Sequence, residues 1–151
     1  MQIQWVLKRF EELNPYQLYA ILQLRNEVFV VEQNCVFQDA DDKDQQSYHL
    51  MGLYNNKLIA YTRLVPPGVI YNQPSIGRVV TSPSVRGTGA GKILMQQSIK
   101  TCYELFGKLP IKIGAQLYLE KFYNDLGFFK CSDVYIEDGI PHIYMLKEDI
   151  S

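Results

Sequence analysis

Apolar and polar positions along the chain change period several times. Ile3 to Leu7 alternates and predicts a first strand. Asn14-Pro15 is a helix start: Asn caps free amides and Pro fits the first turn. Leu18, Ile21, Leu22, Arg25 and Phe29 follow at helical spacing, with an end expected around Val31 to Gln33. Gln38 to Gln46 (QDADDKDQQ) is polar and acidic and is read as a loop that water solvates for most of its carboxylates. Tyr48 to Tyr54 and Leu58 to Val65 are strand-like and flank Asn55-Asn56-Lys57, which predicts a hairpin. Ile76 to Thr81 is a short β-branched strand.

Lys92 to Phe106 carries Ile93, Leu94, Ile99, Cys102, Tyr103 and Phe106 on one apolar side, and Gly107 stops it. Ile111 to Ala115 is a strand and Leu117 to Leu126 a helix ended by Gly127. Phe128 to Tyr135 and Ile140 to Leu146 close the chain as strands turning at Glu137-Asp138-Gly139. The order describes one mixed α/β domain over residues 1–151 with a central sheet.

Composition narrows this little. With 151 residues, 47% hydrophobic and 21% charged, the chain fits one ordinary globular domain. A net charge of −1 argues against a general nucleic-acid binder. No apolar run is long enough for a bilayer, and the N-terminus lacks the order of a signal peptide. Cys35, Cys102 and Cys131 are odd in number without CxxC spacing, so a disulfide framework and a zinc site are not expected and a cytoplasmic location is. Cys35 reads as a small buried apolar residue. Most of the 11 tyrosines are read as packed rings with wet hydroxyls, not as a cage.

Candidate chemistry centres on Arg86-Gly87-Thr88-Gly89-Ala90-Gly91-Lys92, between a strand and a helix. Glycines let backbone N–H groups approach a ligand, and the helix start adds free amides and a positive dipole end. That is a nest for a pyrophosphate, with Arg86 and Lys92 adding charge. A Walker loop fails, because Arg86 sits where its first Gly belongs and Ile93 replaces its Ser/Thr. A GxGxxG loop fails at Lys92.

The remaining pattern, (Gln/Arg)-x-x-Gly-x-(Gly/Ala) at Arg86, Gly89 and Gly91, resembles the GNAT superfamily of N-acetyltransferases. Phe122-Tyr123 and Gly127-Phe128 match the next part of its pattern, and Gln116 stands where the family often has Asn. Further stretches resemble the ElaA-type branch: Leu24 to Gln33, Cys35, Asp39, Asp41, Gly77-Arg78-Val79-Val80 and Glu137 to His142.

The resemblance implies the GNAT fold, a mostly antiparallel twisted sheet splayed at the CoA site and flanked by helices. It implies acetyl-CoA as cofactor and an amine as acceptor, with a small molecule favoured over a peptide N-terminus or a protein lysine; the residues themselves point to neither metal, membrane nor nucleic acid as partner. A homodimer through the closing strands is open. Val79, Val80 and Thr81 would pair with the pantetheine arm, a backbone N–H near Val80 would meet the oxyanion, and residues 86–92, Gln116 and Phe122 would complete the CoA site. Tyr123 would be the general acid for the leaving sulfur. Glu32, His49, Glu137 and His142 are candidate bases. Arg25, Glu32, Asp39, His49, Arg78 and His142 would line the acceptor side. The competing reading is a non-catalytic acyl-CoA sensor or interaction module on the same fold.

Overall fold

The computed structural model describes residues 1–148. Its strands are β1 (Gln4–Arg9), β2 (Tyr48–Tyr54), β3 (Lys57–Val65), β4 (Ser75–Thr81), β5 (Ile111–Gln116), β6 (Phe129–Lys130), β7 (Tyr135–Glu137) and β8 (Ile140–Lys147). Its α-helices are α1 (Pro15–Arg25), α2 (Ala90–Phe106) and α3 (Glu120–Asn124). The expected closing strand from Phe128 to Tyr135 is instead two short strands, β6 and β7, which pair with different parts of β8.

Strands β1-β2-β3-β4 form one antiparallel sheet, and β5-β8-β6, with β7 also on β8, form a second. The single sheet expected from the sequence is thus split between β4 and β5. One backbone bond, Lys112 N–H to the Pro74 carbonyl at 3.0 Å, joins the two strands where both begin. Beyond it β4 pairs only with β3, and β5 only with β8. Their facing edges diverge toward Thr81 and Gln116.

Helix α1 starts as read: the Asn14 side chain accepts from the Gln17 N–H, Gln17 reciprocates, and Pro15 occupies the first position. It continues as a π-helical stretch, Asn26–Glu32, that ends the element within the expected range. Helix α2 has a left-handed Gly89 before it and Gly107 after it.

Each sheet face has its own packing. Ile21, Leu24 and Val28 of the first helix pack with Met51, Tyr61 and Val80. On the opposite face, Thr62 bonds Ser98 of α2 at 2.8 Å, and Met95 and Cys102 join Leu64, Ile76, Ile113, Ala115, Tyr123 and Phe128 in the largest core. Strand β4 serves both faces through a bulge: Gly77 pairs with Arg63 and Val80 with Tyr61, so Arg78 and Val79 oppose only Thr62. Arg78 adopts φ +51°, a conformation a side-chain-bearing residue rarely takes. The extra residue puts Arg78 on the same face as Arg63, where both reach Asp41.

Candidate active site

The divergence of β4 and β5 makes a cleft that runs through the sheet. From β4 it is lined by residues 76–81, and from β5 by residues 113–116. Alternation along β5 divides its walls. Ile113 and Ala115 face the α2 core with Tyr123. Gln116 and His142 are paired in register and share the opposite face with Gly114. The cleft therefore has a helix-side mouth near Arg86 and Tyr123. Its other mouth is framed by the π-helical stretch, Gln33 to Asp39 and the β7-β8 turn.

At the helix-side mouth, Gly87 and Gly89 take φ +79° and +83°, and a Cβ added at either would meet nothing within 4 Å. Open space and left-handed backbone suit a loop shaped to receive a ligand. No side chain caps the N-terminus of α2, so its first amides are free for an anion. Thr88 points its hydroxyl at the Val85 carbonyl, 2.5 Å away, and Ala90 is buried beneath the loop. Lys92 is exposed. Phe122 would lie 3.9 Å from a Cβ at Gly91, so α3 packs beside the loop. Gly87 to Lys92 rim the cleft without lining it, whereas Arg86 lines it.

Arg86 is already engaged: it forms a bidentate ion pair with Glu32, whose carboxyl the guanidinium holds below the usual range. Glu32 is not in the cleft wall. Its tie to Arg86 makes it a poor proton acceptor.

Tyr123 is 6% exposed and lines the cleft. Phe122 and Phe128 meet its ring edge-on at 5.1 and 6.0 Å. Its hydroxyl makes no hydrogen bond among the described residues. Burial raises its pKa well above the usual phenol value, so it stays a donor at neutral pH.

At the opposite mouth, the structure brings Asp39, Arg78 and His142 to the cleft and places Arg25 and His49 behind it. Arg25 is fully buried. Its Nε meets Asp39 at 2.7 Å and its Nη1 meets Asp44 at 2.8 Å. Arg63 reaches Asp41 at 2.7 and 2.9 Å and Asp44 at 2.9 Å. Arg78 reaches Asp39 at 2.8 Å and Asp41 at 3.3 Å. The acidic loop read as solvated is thus corrected at three carboxylates: Asp39, Asp41 and Asp44 are locked to three arginines. Burial pushes the Asp44 and Asp41 carboxyls up, but the arginine bonds and charges outweigh it, and Asp41 falls to about 2.

His49 is 1% exposed; its Nε2 donates to the Asp44 carbonyl at 2.9 Å, and its Nδ1 accepts from Tyr61 at 2.6 Å. Burial lowers its pKa. Both nitrogens are occupied, so its role is structural.

Cys35 corrects another expectation. It is half-buried, lines the cleft and donates to the Asp138 carbonyl at 3.4 Å, which links the first helix to the β7-β8 turn. Gln116 of β5 donates to Gln33 at 3.4 Å, a second tie to the segment that ends the first helix. Sequence reading did not single out Arg63, Asp44, Tyr118 or Tyr135. Tyr118 stands exposed at the cleft wall, and Tyr135 stacks on His142 with ring centres 5.7 Å apart.

Known proteins share this fold. The family model for a GNAT acetyltransferase domain matches residues 17–149. Protein ElaA of Escherichia coli is 43% identical over 150 residues, 98% of each chain. A UPF0039 protein of Synechocystis is 43% identical over 147 residues, 97% of this chain and 96% of that one. The crystal structure of an acyl-CoA N-acyltransferase from Pseudomonas aeruginosa superposes with a TM-score of 0.92 at 40% identity, over 97% of this chain and 99% of that one. The crystal structure of Escherichia coli ElaA gives 0.90 at 42%, over 97% and 100%. No helix among the described residues is long and apolar enough to cross a membrane. The chain belongs to the GNAT acetyltransferase family, whose members use acyl-CoA.

Proposed function

We propose that this chain transfers the acetyl group of acetyl-CoA to the primary amine of a small acceptor by direct attack in a ternary complex. The observation that carries this reading is a cleft through the sheet with Tyr123, its hydroxyl unpartnered, in the wall. Two substrates can meet from opposite faces without displacing each other.

The residues fit the cofactor. The uncapped start of α2 and the left-handed glycines offer backbone amides to a pyrophosphate. The β4 edge that faces β5 has unused backbone groups for the amides of a pantetheine arm. Bound there, acetyl-CoA supplies an activated acetyl carbon and a thiolate leaving group. Tyr123, kept protonated by burial, donates to the departing sulfur. An outward N–H of β4 meets the carbonyl oxygen as it gains charge.

Calorimetric titration of acetyl-CoA and CoA into wild type and Gly89→Glu tests the reading. Gly89 has φ +83°, so the variant strains the loop and puts a carboxylate where the pyrophosphate goes. Binding to wild type, lost in the variant, supports the site. No binding to folded wild type overturns the reading. Binding without turnover of any amine favours an acyl-CoA sensor.

A further inference from the structure

We infer that His142 is the general base for the acceptor amine and that the acceptor enters as a cation from the α1 face; this rests on the acetyltransfer reading above. Of the four candidate bases, only His142 and Glu137 line the cleft. His49 and Glu32 are bound elsewhere.

His142 is 7% exposed and placed by three contacts. Its Nδ1 lies 2.7 Å from the Ile140 carbonyl. A carbonyl only accepts, so Nδ1 carries the hydrogen and the neutral ring has its lone pair on Nε2. Tyr135 stacks on one face of the ring, and Tyr135 in turn stacks on Tyr144 at 4.5 Å. Nε2 lies 3.7 Å from the Glu137 carboxylate. That carboxylate can accept a hydrogen bond from the N–H that Nε2 carries once it has taken a proton.

Charge around this mouth selects the acceptor. Asp39 and Arg78 neutralise each other and their neighbours. Glu137 and Asp138 also line it, and neither is paired with a lysine or arginine among the described residues. The net field there is negative and attracts an ammonium group.

The proton balance closes. An alkyl ammonium, with a pKa of about 10, is charged at neutral pH and cannot attack. Nε2 takes one proton from it. The freed lone pair forms the N–C bond as the C–S bond breaks, and the Tyr123 hydroxyl gives its proton to the sulfur. The second proton shed by the amide nitrogen restores the Tyr123 hydroxyl, and the imidazolium releases its proton to solvent. The products are an amide, a thiol and one proton.

Two acceptors of different basicity test this. Propylamine must be deprotonated, whereas methoxyamine is already neutral at pH 7. His142→Gln should lose about a hundredfold or more in kcat with propylamine, the usual contribution of a positioned base. It should lose little with methoxyamine, and acetyl-CoA binding should be unchanged. Equal losses with both amines, or none with propylamine, would overturn the inference. Nitrogen NMR of the wild-type ring is a readout that needs no turnover: the neutral form should be the Nδ1–H tautomer, and the Nε2–H tautomer would overturn it. Absence of acetyl-CoA binding sinks the acetyltransfer reading itself and is seen separately, by calorimetry.

Discussion

Arg86 and Glu32, 54 residues apart, close on each other at the rim of the cleft, with Nη1 2.7 Å from Oε2. The guanidinium that lines the helix-side mouth is thereby neutralised in the free chain. Under the proposed function, an incoming pyrophosphate must compete with this carboxylate for it.

Glu32→Gln should therefore tighten acetyl-CoA binding. The pair is solvent-exposed, so the gain is small, about twofold to fivefold in Kd. The gain should shrink with added salt, which screens the exposed pair. Arg86→Ala should weaken binding in either background. Calorimetry at two ionic strengths checks both. Looser binding in Glu32→Gln would mean that the carboxylate orients Arg86 for the ligand.

Tyr123→Phe should separate binding from chemistry. The ring packs between Phe122 and Phe128, and removing the oxygen leaves that packing in place. Affinity for acetyl-CoA should be unchanged, while kcat falls about 10²- to 10⁴-fold, the range for a lost general acid. Burial raises the phenol pKa well above 10, so the wild-type rate should show no loss of Tyr123 activity on the alkaline side up to pH 9. Pre-steady-state and steady-state assays across pH check this.

The parts legible in the sequence were those with local causes. A capping Asn, a Pro at the first helical turn and left-handed glycines each act within a few residues, and the element order and the glycine loop followed from them. The arginine–aspartate network has no local signal. Its partners lie 14 to 39 residues apart, and an acidic run reads the same whether water or guanidinium faces it. The bulge at Arg78 hid in a plain β-branched strand, because the extra residue shows only against β3. His142 could not be told from His49 until the structure put one ring in the cleft wall and the other behind it, with both its nitrogens hydrogen-bonded.

That network predicts an acid-sensitive fold. Asp44 accepts from both Arg25 and Arg63, which are buried. Asp44→Ala leaves two buried cations short of a partner and should cost about 3–5 kcal/mol. The Asp41 and Asp44 carboxyls are held below their unfolded values. Their contribution is complete above the unfolded carboxyl pKa, about 3.9. It is lost as pH falls toward the folded value, about 2 for Asp41. Urea melts should show stability falling between about pH 4 and pH 2 in wild type, with a shallower fall in Asp41→Asn. Parallel profiles for the two proteins would show that the loop is not anchored through Asp41.

Gly114 tests how strictly the proposed acceptor wall is placed. A Cβ there would sit 2.8 Å from the Tyr135 hydroxyl and 3.2 Å from that of Tyr71. Both rings are restrained: Tyr71 and Tyr144 hold the Lys112 ammonium between them at 4.9 and 4.7 Å, and Tyr135 stacks on Tyr144. Something must move, and the movement passes to the ring that stacks on His142. Gly114→Ala should destabilise the fold only modestly, about 1–2 kcal/mol, because hydroxyl tips yield more easily than backbone. Its effect on transfer should be larger for propylamine than for methoxyamine, as expected of a misplaced base. Acetyl-CoA affinity should hold, since the glycine loop is untouched. A Gly114→Ala protein with full activity toward propylamine would show that the Tyr135 ring does not position His142.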